Sequence, residues 1–592
     1  MNEVVDLLER LRSRMRDLGL THYLVPGSDE HQSEYLPERN QRRQRMSGFH
    51  GSAGDLLVGL KDAWMFTDGR YHLQADRELQ GTTISLSRVG RPQAPTLLQH
   101  LQRLLAAQAD AKVGVDPRLV ALKSIRHWQA ALRGMIQPVE PNLVDLDWHD
   151  RPAPDQSPLI EVPLCWSGAD SSEKLRVLRA RMHEAGADAL VVCKLDQLGW
   201  LLNLRALGEV PFNPVFEGFA WIDRERAEAF IRRPEQRVLG TRVAGWVFRE
   251  YSEFRRCLES REPKDAVWID PVGCSWWAAE VLKTRGFQPI ETEHPVDTLK
   301  AVKNAAELGA MENANRKASA ALVRALLWLE VEMAAGRPVT EASFRDHLES
   351  RFKETESYFG LSFASIVAAG ENGAIVHYKD AGTRRLRKDD LLLIDCGIHA
   401  CGGTTDATRT VSLGSPTNEQ RSVFTSVLRA HISAAGQTFP AGTSGLALDA
   451  LCRAPLWQER KDYDHGTGHG VGSFLNVHEG PFAIAEHRRR ESTLKELREG
   501  MITSIEPGYY LEGWGGVRLE NLYRITAAGE DAAGRIFLRF DPLTFIPFDR
   551  RLIDREKLTE PERRWLDDYH ARTDSELEKE LTPAERAALH RK

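Results

Sequence analysis

Hydrophobic residues in the first half of the chain repeat one pattern. An amphipathic helical pattern ends at Gly19 before the apolar residues 23–25, and a similar pattern ends at Gly186 before residues 190–192. Glycine is common just after a helix, so each copy predicts a helix followed by a strand. The matching positions are Leu8, Leu11, Arg12, Arg14 and Met15 in the first copy, and Leu175, Leu178, Arg179, Arg181 and Met182 in the second. The repeat predicts two related α/β units, and the alternative is a chance likeness between two leucine-rich helices.

The pattern changes twice further along the chain. Residues 151–158, RPAPDQSP, carry three prolines among polar residues and are typical of a linker. Helical periodicity then runs over residues 305–335. We therefore predict three domains, with bounds at 1–155, 156–298 and 299–592, the last carrying a C-terminal extension.

The third domain has the pattern of a mixed α and β fold. Residues 391–396, LLLIDC, predict a buried strand, and the following glycines predict a hairpin to a strand at 405–411. Thr417 and Gln420 have the spacing of a capping box, which predicts a helix to Ala435. Two more strands are predicted at 501–506 and 516–526.

Composition excludes several classes of protein. The net charge of -6 gives no overall attraction to nucleic acid. No apolar run approaches the roughly 18 residues that a membrane-spanning helix needs, so no membrane partner is expected. Charges interrupt the leucines of the first twenty residues, unlike a secretory signal, and we expect the protein to stay in the cytoplasm. The seven cysteines form no CxxC pair, and Cys396 and Cys401 are interpreted as packing residues.

Asp395 and Asp406 are the first two candidate functional residues of the third domain. A carboxylate buried in an apolar strand is unfavourable without a partner, and the hairpin would bring a second carboxylate next to it. Two close carboxylates repel each other unless a cation lies between them. The pair therefore predicts a divalent metal, with Mn²⁺ favoured by oxygen ligands and Co²⁺ or Zn²⁺ possible once an imidazole joins. The alternative is that one aspartate caps a turn and the other forms a surface ion pair.

More candidate ligands follow in the same domain. Residues 464–481, DHGTGHGVGSFLNVHEGP, place three histidines among glycines that let the backbone approach a ligand. Glu506 ends a predicted strand, and period-two alternation puts Glu520 on one face with Arg518. Four carboxylates and one histidine are enough to hold two cations that activate a water.

The motifs IDCG, TTDATRT, HGTGHGVG, SIEPGYY and VRLEN resemble those of the pita-bread metallopeptidases. Together with SGFHGSAG, FTDGRY, FNPVF, VHEGP and DPLTFIPFDRRLID they resemble the long, three-domain form of aminopeptidase P over essentially the whole chain. The resemblance implies two creatinase-like N-terminal α/β domains followed by a pita-bread catalytic domain. It also implies release of the N-terminal residue from Xaa-Pro peptides by a hydroxide bound to two metal ions.

The resemblance assigns roles to particular residues. Asp395 would bind one metal, Asp406 and Glu520 would bridge both, and His469 and Glu506 would hold the second. Glu506 would also handle the proton of the water. The residues around the substrate would be His377, His465, His478, Tyr510 and Arg518. A homodimer is implied, because a neighbouring subunit often shapes the channel in this family.

Two rival functions remain open at this point. A prolidase would use the same ligands on dipeptides alone, although the three-domain length and the C-terminal extension favour the aminopeptidase. A catalytically inactive pita-bread protein acting as a scaffold would have lost ligands, and all five are present here. His399 lies in the metal hairpin loop and is interpreted as local variation that could touch the substrate channel.

Overall fold

The computed structural model describes residues 2–108, 110–155, 157–238, 243–262, 266–486 and 491–589. The chain forms two compact units. The first comprises Met1–Glu161 and Ala169–Val296, and the second comprises Val162–Gly168 and Asp297–Lys592. The predicted domain bounds at 155 and 298 stay a prediction, and Gln156 of the predicted linker lies outside the described residues.

The first unit contains two six-stranded sheets with helices around them. The elements of the first copy are α1 (Asn2–Asp17), β1 (His22–Val25), α2 (Arg42–Ser47), β2 (Asp55–Gly59), β3 (Ala63–Thr67), α3 (His72–Glu78), β4 (Ser85–Arg88), α4 (Leu97–Ala107), β5 (Val113–Val115), α5 (Leu122–Leu132), β6 (Ile136–Pro138) and α6 (Leu143–Leu146). Those that follow in the sequence are β7 (Ile160–Glu161), α7 (Leu164–Ser167), α8 (Ser171–Glu184), β8 (Ala189–Val192), α9 (Leu195–Leu202), β9 (Leu204–Arg205), β10 (Gly218–Asp223), β11 (Ala227–Ile231), α10 (Pro234–Arg237), β12 (Val247–Glu250), α11 (Phe254–Ser260), β13 (Ala266–Ile269), α12 (Trp276–Thr284), β14 (Gln288–Glu291) and α13 (Pro295–Ala301). Of these, α7 belongs to the second unit, and α13 spans the sequence boundary between the units.

The two sheets have the same topology. Their strand orders are β4-β3-β2-β1-β5-β6 and β12-β11-β10-β8-β13-β14. In each sheet the strand after the leading helix, β1 or β8, pairs antiparallel on one side and parallel on the other. The prediction of two related α/β units is confirmed.

The second unit is mainly antiparallel sheet wrapped by helices. Its elements are α14 (Ala305–Ala334), α15 (Glu341–Lys353), β15 (Tyr358–Leu361), β16 (Ile366–Ala369), β17 (Leu391–Cys396), β18 (Ile398–Ala400), β19 (Gly403–Thr404), β20 (Ala407–Ser412), α16 (Asn418–Ala435), β21 (Thr438–Pro440), α17 (Gly445–Gln458), β22 (Gly468–Gly470), β23 (Glu479–Ile484), α18 (Glu491–Leu494), β24 (Ile502–Ile505), β25 (Gly508–Leu511), β26 (Gly515–Arg518), β27 (Asn521–Glu530), β28 (Ile536–Pro542), α19 (Glu560–Leu577) and α20 (Pro583–Leu589).

These strands form a six-stranded sheet, β21-β28-β27-β24-β22-β23, two three-stranded sheets, β15-β18-β19 and β16-β17-β20, and the hairpin β25-β26. The Thr417 capping box and the helix to Ala435 are confirmed. The long helix predicted over 305–335 and the buried strand at 391–396 are also confirmed.

Two local predictions need correction. Strands β17 and β20 do pair antiparallel, but they are not joined by a simple turn. The segment that connects them in the sequence contains β18 and β19, which belong to a different sheet. Consequently Asp395 pairs with Thr408, and Asp406 lies one residue before β20. The single strand predicted at 516–526 divides into β26 and β27. Glu520 lies in the break, and its side chain and that of Arg518, the last residue of β26, are as buried as their apolar neighbours.

A short segment from the first half of the sequence belongs to the second unit. Residues 162–168 contain α7, which packs on α14. Trp166 contacts the rings of Phe359 and Phe474, with centroids 5.9 and 6.3 Å away. Asn304, the N-cap of α14, donates a hydrogen bond to the carbonyl of Ser167. We call residues 162–168 the strap.

Among the described residues, no helix combines the length and the apolar character needed to cross a membrane.

Candidate metal centre

Five elements of the second unit bring the predicted ligands together. Asp395 lies near the end of β17, Asp406 precedes β20, and His469 is the central residue of β22. Glu506 directly follows β24, and Glu520 lies in the break between β26 and β27. Because β22, β24 and β27 are neighbours in one sheet, three of the ligands lie on adjacent strands or directly next to their ends.

The ligand atoms of Asp406, His469 and Glu520 all lie within 4.8 Å of one another. His469 Nε2 is 3.5 Å from Asp406 Oδ2 and 3.6 Å from Glu506 Oε1. Its other nitrogen, Nδ1, is 3.0 Å from the carbonyl oxygen of Gly470. A hydrogen bond donated by Nδ1 to that carbonyl leaves Nε2 with a lone pair directed at the carboxylates.

Burial makes the negative charge of this cluster unfavourable. It raises the pKa of Asp395 to about 6, and the pKa values of Asp406 and Glu506 each to about 7. The pKa of Glu520 is raised well above its usual range, first by burial and then by the charges of Asp406, Glu506 and Asp395. Removal from water penalises an ionised carboxyl, and like charges add to that penalty.

The donor set fits divalent metal ions. One cation, Arg518, contacts the cluster through a 2.6 Å hydrogen bond from NH2 to Asp395 Oδ2. The other carboxylate oxygen, Asp395 Oδ1, is buried and has no hydrogen-bond partner among the described residues. Four carboxylates with one imidazole suit hard or borderline divalent ions, and such ions would neutralise the remaining charge.

Arg518 links the carboxylates to the other predicted substrate residues. Its NH1 donates to Tyr510 Oη at 2.8 Å, and that oxygen is also 2.8 Å from His465 Nε2. His465 Nδ1 lies 3.9 Å from Glu506 Oε2. A continuous series of polar contacts therefore connects five residues: Asp395, Arg518, Tyr510, His465 and Glu506.

The two remaining predicted histidines are half-buried. His478 stands edge-on to His469, with ring centroids 4.4 Å apart, at the rim of the cluster. His377 follows the 3₁₀ turn Gly370–Ala374, which packs on β26. The next residue, Tyr378, anchors this segment by donating to Glu341 Oε2 at 2.9 Å.

Nearby residues of the hairpin loop lie in the interior. His399 is buried in the sheet of β15, β18 and β19, and its Nδ1 is 3.1 Å from Thr404 Oγ1. Cys396 and Cys401 belong to the hydrophobic core that includes α14, which confirms that they are packing residues.

Sequence reasoning did not assign a role to Thr408 or Arg409. Thr408 Oγ1 donates a 2.7 Å hydrogen bond to Glu520 Oε2 and thereby orients that carboxylate. Arg409 is fully buried and contacts the carbonyl of Glu520. The available signal was the polar sequence Thr-Arg-Thr at 408–410, within the strand predicted at 405–411.

A large cavity of the second unit lies away from the cluster. A volume of about 970 Å³ opens between α14, the turn after β20 and residues 547–551, and it contains none of the five ligands. The chemistry of the cluster, and not cavity size, identifies the candidate site.

Models of known families match nearly the whole chain. Residues 309–527 match the metallopeptidase family M24, and residues 536–592 match the C-terminal region of that peptidase family. The creatinase/prolidase N-terminal domain matches twice, at 8–147 and 150–307.

Individual relatives extend the likeness over the full length. A probable Xaa-Pro aminopeptidase P of Laccaria bicolor is 35% identical over 96% of this chain and 89% of its own. The crystal structure of an X-prolyl aminopeptidase from Caenorhabditis elegans, described as a cytosolic enzyme with a di-nuclear active site, covers 99% of this chain and 98% of its own, with a TM-score of 0.93 and 33% identity. An Xaa-Pro dipeptidase from Bacillus anthracis covers 64% of this chain and 99% of its own, with a TM-score of 0.51 and 23% identity, which is a likeness of fold.

Proposed function

The chain belongs to the Xaa-Pro aminopeptidase P family of M24 metallopeptidases, and from this membership we propose that it releases the N-terminal residue from peptides with proline in the second position. Its fold is that of the family, with two creatinase-like N-terminal domains followed by a pita-bread domain. We propose that the domain bounds lie near 155 and 298.

One observation carries the proposal. Five residues spread over 126 positions, from Asp395 to Glu520, converge on one buried cluster in which the ligand atoms of Asp406, His469 and Glu520 lie within 4.8 Å of one another. No other group of at least three such residues among those described has this spacing. A hydrolase that needs two cations requires such a concentration of donors.

We propose that Asp395, Asp406, His469, Glu506 and Glu520 hold two divalent ions, with Mn²⁺ as the native metal. When bound, such ions polarise the scissile carbonyl and lower the pKa of a water from ~16 towards ~7. Asp406 and Glu520, the most buried carboxylates, are proposed to bridge the pair.

Glu506 is proposed to carry the proton. Its side chain is 20% exposed, so its carboxylate can take a proton from the attacking water and later release it. The leaving nitrogen of proline receives that proton as the bond to the carbonyl carbon breaks. The products are a free N-terminal residue and a peptide that begins with proline.

The chain from His465 through Tyr510 to Arg518 is proposed to orient the substrate, with His377 and His478 beside it. An Xaa-Pro bond has no N–H to offer, so an enzyme for this bond must hold the substrate through other groups. Histidines at the rim can donate to the carbonyl of the scissile bond or to the peptide backbone.

Hydrolysis of paired substrates tests the proposal against prolidase. We expect an Xaa-Pro-Pro tripeptide to lose its first residue when Mn²⁺ is supplied and to stay intact after treatment with a chelator, with Xaa-Ala-Pro as the matched control. Cleavage of an Xaa-Pro dipeptide alone would identify a prolidase. Binding of metal without cleavage of any substrate would identify an inactive scaffold.

Two further parts of the proposal concern the whole protein. We propose a homodimer, which mass photometry at nanomolar concentration tests directly. We also propose a cytoplasmic location, in line with the description of the Caenorhabditis elegans relative as cytosolic.

A further inference from the structure

Three successive residues at the break between β26 and β27, residues 519–521, are held by side chains from two other elements. His431 on α16 lies with Nδ1 3.1 Å from the carbonyl oxygen of Leu519. Arg409 on β20 donates to the carbonyl of Glu520 at 2.7 Å and to Asn521 Oδ1 at 2.7 Å. The backbone around Glu520 is therefore fixed by side chains that are far apart in sequence.

Arg409 is the centre of this arrangement. Its side chain is fully buried, stacks on Phe548 at 4.4 Å, and donates to the carbonyls of Thr408 and Ile546. No carboxylate of the described residues forms an ion pair with it, so carbonyl and hydroxyl oxygens satisfy its five N–H groups. A guanidinium is planar and rigid. A segment that fixes it on one side therefore also fixes the segments that it contacts on its other sides.

The C-terminal helix α19 contributes one of those contacts. Arg409 NH2 donates to Tyr569 Oη at 2.8 Å, and the same hydroxyl donates to the carbonyl of Ile546 at 2.8 Å. Tyr569 is buried, and its ring stacks on Trp565 with parallel planes. The hydroxyl thus joins three parts of the second unit: α19, the segment after β28, and the strand that carries Arg409.

We propose that Tyr569 and Arg409 are positioning residues for Glu520, so that the C-terminal extension sets the geometry of a metal ligand. The proposal rests on the proposed function, because it assigns the extension a part in metal binding. Tyr569 lies outside the cluster and acts through Arg409 on the backbone of Glu520, while Thr408 orients the carboxylate itself. Loss of the Tyr569 hydroxyl would leave Arg409 and Ile546 one partner short and loosen the Glu520 backbone.

Mn²⁺ binding to the metal-free, full-length protein tests this proposal. We expect Tyr569→Phe to bind at least one Mn²⁺ about 10- to 100-fold more weakly in isothermal titration, the range typical of residues that orient metal ligands. Tyr23→Phe is the matched control, because Tyr23 is also buried and its hydroxyl accepts a hydrogen bond, from Leu143 N in the first unit. At saturating Mn²⁺ the KM of Tyr569→Phe for Xaa-Pro-Pro should equal that of the unaltered protein, and kcat should recover.

Wild-type Mn²⁺ affinity in Tyr569→Phe would overturn the inference while leaving the proposed function intact. Absence of Mn²⁺ binding by the unaltered protein would instead overturn the proposed function and the inference with it. Arg409→Lys is a second variant, in which the charge stays but the planar fork is lost, and it should weaken Mn²⁺ binding at least as much. Faster amide exchange in residues 519–523, with unchanged exchange in residues 391–396, would support the positioning role even in a variant that is less stable.

Discussion

Charge and burial conflict at Asp406, one of the two proposed bridging residues. It is 5% exposed and its ligand atom lies near those of His469 and Glu520. A divalent ion removes the conflict, since it replaces repulsion among carboxylates by attraction to a shared cation. The same residue should therefore affect the protein in opposite directions with and without metal.

We expect Asp406→Asn to lower kcat/KM for Xaa-Pro-Pro by roughly 100-fold or more, because an amide of equal size supplies no charge to a bridging position. At pH 8 the metal-free variant should melt at a higher temperature than the metal-free parent, since one of four like charges is gone. In Mn²⁺ the order should reverse, because a ligand stabilises only the protein that binds it.

Asp389→Asn is the control for this experiment, since that carboxylate is 81% exposed and lies outside the cluster. Differential scanning calorimetry with and without Mn²⁺ measures both states. Full turnover by Asp406→Asn would contradict the assignment of the site.

The five ligands could be predicted from the sequence because each is a residue that is unfavourable in its local setting unless it has a partner. A single aspartate in LLLIDC and histidines among glycines are visible as exceptions to a local pattern. Thr408 and Arg409 were not assigned, because their partners, Glu520 and the carbonyl of Ile546, lie more than 100 positions away. Local patterns reveal an unusual residue, but they do not reveal its distant partner.

At the scale of elements, α16 and the β26–β27 break depend on one buried histidine. His431 is fully buried, with Nε2 2.7 Å from Tyr523 Oη and Nδ1 near the carbonyl of Leu519. Burial, together with the positive charge of Arg409, lowers the pKa of His431 to about 3. The folded protein therefore keeps this imidazole neutral under conditions that protonate it in the unfolded chain.

The stability contributed by neutral His431 is fully present above the unfolded pKa of ~6.5 and is lost as the pH falls towards 3, by about 1.4 kcal/mol per pH unit. We expect His431→Gln to melt at a lower temperature than the parent at pH 7, and the difference between the two melting temperatures to shrink as the pH falls to 5. His127→Gln, on the exposed side of α5, should keep the parental slope. An unchanged slope in His431→Gln would show that another group causes the acid sensitivity.

Elements with strong local signals were predicted, and those defined by distant pairing were not. The capping box at Thr417 and the apolar run of β17 fix their elements locally. The break at Glu520 was missed because Val517, Arg518, Leu519 and Glu520 alternate as a strand would, although all four are buried. Alternation predicts one buried apolar face and one exposed polar face. Here the polar side chains of the second face are also buried, and they form hydrogen bonds inside the protein.

At the scale of the whole molecule, the strap makes the second unit discontinuous in sequence. Trp166 covers Gly402, where a Cβ atom would lie 2.3 Å from the indole, and it also contacts Phe359 and Phe474. Without the strap these apolar surfaces would face water. The second unit is therefore complete only when residues 162–168 accompany residues 297–592.

We expect Trp166→Ala to destabilise the second unit by about 2 kcal/mol, below the ~3–5 kcal/mol of a fully buried tryptophan, because this side chain is only half-buried. Trp457→Ala, whose residue is 45% exposed on α17, is the matched control for loss of an indole. Thermal melting monitored by activity checks the result. Equal melting of the two variants would show that the strap contributes little.

The strap also limits how this architecture can be recombined. Hybrid enzymes that join the N-terminal half of one relative to the catalytic half of another, with a crossover near residue 298, would seat a foreign tryptophan-bearing peptide on α14. Crossovers placed on both sides of residues 162–168 would keep that peptide with its native seat. In a stable hybrid, residues 162–168 and 297–592 should therefore come from the same relative, even though more than a hundred residues of the first unit separate them in the sequence.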